Sequence, residues 1–319
     1  MKYTPPFKVT TKIIDLISKI SLNIGKLEAI DSTSTLPMLR KVNQIRTITG
    51  TLQIEGNTLD EERITALIEG KRVLGKVDEI AEANGAIALY KMLEDLNFKD
   101  EKELLKSHKI LMSELLKDAG KYRTSDVGVG GKDGVVHVAP PNSQISKLMN
   151  DLFSWLNATD VHPLIVSSVF HYEFEFIHPF IDGNGRMGRF WQSLILYNWN
   201  NYFSVIPIES IIRDKQQEYY KVLEDCGSSG ESTLFIEFAL KSILEAIDKV
   251  GNKVGNKVGN LTDNQKVIIE QIKLDNKISA SKLSDIVGIS KRKIEENLAK
   301  LKEQAILKRV GGTRGYWEV

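Results

Sequence analysis

Residues 178–189 read His178-Pro-Phe-Ile-Asp-Gly-Asn-Gly-Arg-Met-Gly-Arg189. Gly183 and Gly185 flank Asn184, so the backbone can turn sharply and aim N–H groups at one spot. An apolar run over residues 190–199 follows, which places this turn at a helix N-terminus. Successive N–H donors at the positive end of a helix dipole form an anion site suited to phosphate. Arg186 and Arg189 are three apart, share a helix face and can both reach a polyphosphate. Asp182 would repel a phosphate here unless a cation lay between them, and Mg²⁺ resolves the conflict. His178, four residues upstream, is the residue type suited to a general base near neutral pH. Singly, these residues could be an ordinary turn and a solvated helix face. Together they point to transfer of a phosphorus group from a nucleotide to a hydroxyl.

The elements that must position this stretch are mostly helical. Val42, Ile45, Ile48 and Leu52 recur at spacings of three and four. Thr58 to Glu61 reads as a capping box opening a helix, and Asp100 with Glu103 opens another carrying Leu104, Leu105, His108 and Leu111. One segment differs. Residues 127–138 read VGVGGKDGVVHV, a short β-hairpin with a glycine-rich turn. It is either a surface loop or a flap whose free edge pairs with an incoming peptide. The expected fold is mainly α, a helical bundle with a small hairpin.

The twelve-residue stretch resembles the signature of the Fic family, His-x-Phe-x-(Asp/Glu)-Gly-Asn-Gly-Arg-x-x-Arg, and matches every specified position. Gly120-Lys-Tyr-Arg123, the hairpin and Ala139-Pro-Pro141 are similar to the segment that precedes the Fic core, and residues 208–220 to the one that follows. The resemblance spans about residues 37–248. It implies a protein adenylyltransferase that moves AMP from ATP to a Ser, Thr or Tyr hydroxyl of a protein target, with Mg²⁺ as cofactor. His178 would deprotonate the hydroxyl, and Asp182 would hold Mg²⁺. Gly183, Asn184 and Gly185 would cradle the α- and β-phosphates, with Arg186 near the β-phosphate and Arg189 on the γ-phosphate. Phe180 would anchor the loop. The flap residues Val127, Gly128, Val129, Val136, His137 and Val138 would align the target through main-chain pairing. Tyr219, Tyr220 and the apolar residues around Ile211 are candidates to line an adenine pocket.

A second motif, Thr51-Leu-Gln-Ile-Glu-Gly-Asn57, is similar to the family's inhibitory motif, (Ser/Thr)-x-x-x-Glu-(Gly/Asn). Thr51 and Glu55 share a helix face, and Gly56 ends that helix. A Glu in a last helical turn opposes the dipole by roughly 0.3–1 kcal/mol, which an arginine partner would offset. The resemblance implies that the partner is Arg189, and that the pair forces ATP into an unproductive pose.

The C-terminal part is set apart by charge. Residues 249–319 carry 15 Lys+Arg against 8 Asp+Glu, a local net of +7, within a chain whose net is +1. Residues 249–260 repeat KVGN three times, as a flexible linker would, or a frayed helix with valine on a drifting stripe. Beyond it, capped helices opening at Thr262, near Ser281 and at Ser290, then strands over residues 306–310 and 316–319, make a winged helix-turn-helix. Lys291, Arg292 and Lys293, with Lys308, Arg309 and Arg314 on the wing, are candidate DNA contacts. The expected division is an N-terminal helical region over 1–100, a catalytic core over 101–248, the linker over 249–260 and the winged helix over 261–319.

Rival readings follow from the same residues. A DNA-binding transcriptional regulator is one. A Fic-scaffold enzyme using another donor, or removing AMP, is another. His171, Glu175 and His178 at spacings of four and three could form a zinc triad, although no His-Glu-x-x-His is present. With 42% apolar and 27% charged residues among 319, a sizeable core is expected and a disordered chain is not. One cysteine, Cys226, excludes an intramolecular disulfide. No signal peptide or membrane span is expected, so the cytoplasm is the default location. A homodimer interface could strengthen or relieve the Glu55 clamp.

Overall fold

The computed structural model describes all residues except 1–2, 32–35, 132–133, 260–261, 304–305, 312–314 and 319. The elements in chain order are α1 (Thr11–Asp31), α2 (Leu36–Ile54), α3 (Glu61–Ile68), α4 (Val77–Tyr90), α5 (Glu101–Met112), β1 (Gly128–Gly131), β2 (Gly134–Val138), α6 (Ile145–Ala158), α7 (Pro163–Ile177) and α8 (Asn184–Trp199). They continue with α9 (Ile208–Asp214), α10 (Gln216–Ser229), α11 (Thr233–Gly259), α12 (Asp263–Leu274), α13 (Ala280–Val287), α14 (Lys291–Glu303), β3 (Lys308–Val310) and β4 (Tyr316–Glu318). Two compact units emerge, residues 1–22 with 43–247, and residues 23–42 with 248–319. The first shows no break at residue 100.

The first unit is built around α7 and α8. His162 accepts the Leu164 N–H at 3.2 Å and Pro163 occupies the first turn, so α7 starts sharply. Its residues are apolar almost all round, as a central helix requires. Phe170, Phe174, Phe190 and Trp191 fill the space between α7 and α8 and its surroundings, with α6 packed outside through Met149, Leu152 and Phe153. The N-terminal residues lie on this unit, where the Tyr3 hydroxyl donates to Glu173 at 2.6 Å and the Ser232 N–H donates to the Pro6 carbonyl at 2.9 Å.

The expected helix starts hold with one shift. Asp100 caps α5 through the Lys102 N–H. At α3 the cap is Asp60, which accepts the Arg63 N–H at 2.9 Å. Thr58, expected as that cap, instead donates to Glu79 Oε2 at 2.8 Å. A carboxylate of α4 outcompetes the local turn for the hydroxyl.

β1 and β2 pair antiparallel, Gly128 opposite Val138 and Gly131 opposite Gly134, with the register slipping between Val129 and Gly130. The hairpin expected from the sequence is therefore present.

The segment expected as a linker is helical, because α11 runs unbroken from Thr233 to Gly259. Phe235, Ile236, Leu240, Ile243, Ile247 and Val250 are buried at helical spacing, so a long nucleated helix already precedes the repeat. Extending a formed helix fixes one residue per added hydrogen bond, and one glycine per turn costs about 1 kcal/mol, too little to stop it.

In the second unit α12, α13 and α14 enclose Ile268, Ile272, Leu283, Ile294, Leu298 and Leu301. A capping box between Thr262 and Gln265 opens α12 as expected. β3 and β4 form an antiparallel pair, with Arg309 opposite Trp317.

Candidate active site

α7 ends at His178, which adopts a left-handed conformation with φ 50° and ψ 61°. Among the described residues it is the one non-glycine with positive φ. The chain then turns through residues 179–183 into α8, whose N-cap is Gly183. The loop closes on itself, since Asn184 Oδ1 accepts the Phe180 N–H and Asn184 Nδ2 donates to the Phe180 carbonyl, both at 2.9 Å. The Asn184 side chain is thus committed to loop structure, and only its backbone N–H remains for an anion. Phe180 is fully buried, anchoring the loop as the resemblance implies.

His108 of α5 lies flat on the Phe180 ring, centroids 3.6 Å apart and planes 6° from parallel. Its Nδ1 accepts the Gly120 N–H at 2.8 Å, which leaves the proton on Nε2 to donate to the Asp182 carbonyl at 2.9 Å. Burial pushes the His108 pKa down to about 4, so the ring is neutral and this tautomer is fixed.

Both arginines of the motif are buried rather than solvated. Arg186 pairs with Asp182 at 3.0 Å and with Glu82 of α4 at 3.2 Å. Asn57 donates to that same Glu82 at 2.8 Å. Arg189 donates through Nη2 to Glu55 Oε1 at 2.6 Å, through Nε to Thr51 Oγ1 at 3.0 Å, and through Nη2 to the Thr51 carbonyl at 3.2 Å. Burial opposes the Arg189 charge, but the Glu55 carboxylate, with Tyr219 and Glu175, outweighs it and raises the pKa.

Glu55 is presented by the end of α2. The Asn57 N–H bonds the Leu52 carbonyl and the Gly56 N–H bonds the Gln53 carbonyl, with Gly56 at φ 90°. This Schellman cap needs a left-handed residue, which glycine supplies without a Cβ clash. It aims Glu55 at α8. A Cβ on Gly185 would collide with Glu55 Oε1 and lie 3.0 Å from Arg189 Nη1. The carboxylate thus sits against the first turn of α8, where an anion is favoured. Arg189 Nη1 and Arg186 Nε are buried donors with no hydrogen-bond partner among the described residues.

Residues 98–196 match the model of the Fic/DOC family. A Fic family protein from Desulfovibrio desulfuricans G20, known from its crystal structure, is 39% identical with a TM-score of 0.77, over 99% of this chain and 98% of that one. The chain belongs to the Fic family. Relatives named protein adenylyltransferase Fic are 29% identical over 252 residues in Nematostella vectensis and 30% over 219 residues in Aedes aegypti. These matches cover 73% and 65% of this chain, but 55% and 42% of the relatives. The chain therefore spans about half the length of the curated relatives it matches.

Asp182 is the carboxylate that the motif led us to expect as a Mg²⁺ ligand. Its Oδ1 accepts from the Gly183 N–H at 2.5 Å and from Arg186, and its side chain is half exposed. No group of three His, Cys, Asp or Glu gathers among the described residues. One accessible carboxylate fits a cation that arrives with a polyphosphate and keeps its waters.

The zinc reading of His171, Glu175 and His178 fails on geometry. His171 is buried, with Nδ1 2.7 Å from Gln192 Oε1 and Nε2 3.1 Å from the Tyr219 hydroxyl, so both ring nitrogens are engaged. Burial pushes His171 down to about 3 and Glu175 up to about 8, so their 3.9 Å approach joins two neutral groups.

The candidates for an adenine lining divide by burial. Tyr219 and Ile211 are buried in the core, while Tyr220 is 45% exposed, its hydroxyl donating to the Ile54 carbonyl at 3.2 Å. Of the candidate DNA contacts, Lys291 lies 3.9 Å from Glu295 and Arg292 lies 3.5 Å from Glu296. Arg309 stacks over Trp317 at 4.7 Å, Lys293 and Lys308 are exposed, and Arg314 lies outside the described residues. Sequence reasoning missed Glu82 and the roles of His108 and Arg123. The spacing of Glu82 carries no signal, because its arginine is about a hundred positions away. No helix among the described residues is long and apolar enough to cross a membrane.

Proposed function

We propose that this chain transfers AMP from ATP to a hydroxyl of a protein target and is held back by its own Glu55. The carboxylate of Glu55 lies against the first turn of α8 and on Arg189, the place the Fic motif offers to a phosphate. That observation carries the reading, because an internal anion there is a competitor for the nucleotide's terminal phosphate.

In this reading the target lies along the hairpin edge and presents its hydroxyl to His178. His178 takes the hydroxyl proton, the oxygen attacks the α-phosphorus, and pyrophosphate leaves. The α8 N–H groups at Gly183, Asn184 and Gly185 hold the α- and β-phosphates, with Arg186 beside the β-phosphate. Arg189, freed from Glu55, holds the γ-phosphate. Asp182 would hold Mg²⁺, which would neutralise phosphate charge in the transition state.

The test is transfer of label from α-phosphate-labelled ATP with Mg²⁺ to proteins of a cell lysate. Protein-bound label is expected to rise severalfold or more in Glu55→Gly and to vanish in Glu55→Gly/His178→Ala. Equal labelling of wild type and Glu55→Gly would remove the autoinhibitory role. No label from a protein that still binds ATP would favour another donor, or AMP removal, on the same scaffold.

A second reading concerns the C-terminal unit. Three helices followed by a two-stranded hairpin, with Lys293 and Lys308 exposed, suit a winged helix that contacts DNA phosphates. Retention on duplex DNA that falls steeply with salt tests it.

A further inference from the structure

Arg123 lies in the segment between α5 and β1 and is 3% exposed. Its guanidinium meets three backbone carbonyls. Nε donates to His178 at 2.8 Å, Nη1 to Ser125 at 2.7 Å, and Nη2 to Pro140 at 2.6 Å. Its own backbone N–H donates to the Pro179 carbonyl at 2.9 Å. Ser125 and Pro140 are the two feet of the hairpin, since β1 starts at Gly128 and β2 ends at Val138. One side chain therefore joins both feet of the hairpin to the left-handed residue that ends α7.

That joint has a physical purpose. A non-glycine residue in the left-handed region is strained and persists where its surroundings over-determine it. A hydrogen bond from a charged donor is stronger than one from a neutral donor and helps to hold such a conformation. The guanidinium is planar and presents its donors in a fixed fork, so the three carbonyls it bonds are held at fixed mutual positions. A lysine ammonium, a compact charge on a flexible stem, does not impose that geometry.

We propose that Arg123 is a positioning residue that locks the backbone of His178 to the hairpin, so that a target strand docked there meets the base in a set register. The inference rests on the transfer reading above. It adds the coupling between docking surface and base, and it assigns that coupling to one side chain that itself reacts with nothing.

The test uses the full chain in the Glu55→Gly background, comparing Arg123 with Arg123→Lys and Arg123→Gln. Histidine ring resonances are recorded, with His178 assigned by its loss in His178→Ala. Transfer of α-phosphate label to lysate proteins is measured alongside ATP affinity. The expected result is a displaced or broadened His178 resonance and a transfer rate lower by about tenfold or more, as misplacement of a reacting group produces. ATP affinity should change less than about twofold, since Arg123 lies outside the phosphate cradle; general damage to the site would lower both. An unchanged His178 resonance in a folded variant would overturn the proposal. Should neither variant fold, the Nε–H of Arg123 in the unsubstituted protein decides, because the bonded geometry requires slow exchange and rapid exchange contradicts it. Absence of label in the Arg123 parent would instead count against the transfer reading, and the resonance would still judge the coupling.

Discussion

Arg189 and Glu55 lie 134 positions apart in the chain and meet at 2.6 Å, the arginine buried and the carboxylate 30% exposed. The pair joins the cap of α2 to the first turns of α8. Because Glu55 retains access to water, solvent screens the pair and its contribution to stability is modest. The carboxylate touches solvent and can leave for water, but the buried Arg189 guanidinium then lacks a counter-ion until another anion takes its place.

Removing that carboxylate should strengthen nucleotide binding as well as turnover. In Glu55→Gly, Arg189 is free for a phosphate and like-charge repulsion at the helix N-terminus is gone. ATP affinity measured by calorimetry is expected to rise about tenfold, the size of one charge-assisted hydrogen bond. An affinity equal to that of wild type would show that the ion pair and the nucleotide do not compete.

Thr51 should behave differently from Glu55, although both hold Arg189. Its hydroxyl accepts from Nε and its carbonyl from Nη2, so it fixes the orientation of the guanidinium. Thr51→Val leaves the buried Nε–H without an acceptor, a cost of about 1–3 kcal/mol in denaturant unfolding. Transfer in the Glu55→Gly background should fall, not rise, because Arg189 loses its orientation. A rise would mark Thr51 as part of the brake instead.

Asp182→Asn tests the proposed metal role. The amide still fits beside Gly183 and Arg186, so the fold should melt close to the parent temperature. Label transfer in the Glu55→Gly background should drop by about a hundredfold at fixed Mg²⁺, as loss of several kcal/mol of charge stabilisation requires. Parental rates in this variant would place the cation elsewhere.

These predictions lean on residues that differ in how readily the sequence discloses them. The loop from His178 to Arg189 is contiguous, so its glycines, carboxylate and arginines are visible as one pattern. Thr51 and Glu55 were visible through a four-residue spacing and the glycine that follows. Arg123 and Glu82 were not, because each acts across the fold on a partner chosen by packing, and Arg123 bonds carbonyls, which every residue carries. Tyr219 is a related case. An aromatic near a motif reads as pocket lining, and only the fold shows it buried with its hydroxyl against His171. The KVGN repeat misled through composition, since its glycines and asparagines resemble a linker while its valines keep helical spacing.

Glu175 predicts a pH dependence of stability. Burial raises its pKa to about 8 from an ordinary value of 4.5, with Arg189 opposing the shift and Glu55 adding to it. Between those values the folded protein holds a proton that the unfolded chain has released, so this group makes stability fall as pH rises from about 4.5 to 8. Glu175→Gln should flatten that decline and raise the melting temperature at pH 8 by roughly a few degrees. A melting curve whose pH slope matches wild type would mean that Glu175 is ionised in the folded state.

The reciprocal amide pair between Asn184 and Phe180 has a consequence for the cost of ligand capture. The bend that leads into α8 is already closed by its own hydrogen bonds, beneath a stacked histidine and around a buried phenylalanine. An arriving phosphate therefore has little backbone to immobilise, and ordering entropy takes little from its affinity. In the proposed function, what it would displace is one solvent-touching carboxylate. The loop is preorganised, and on that reading its occupancy would be a contest between two anions.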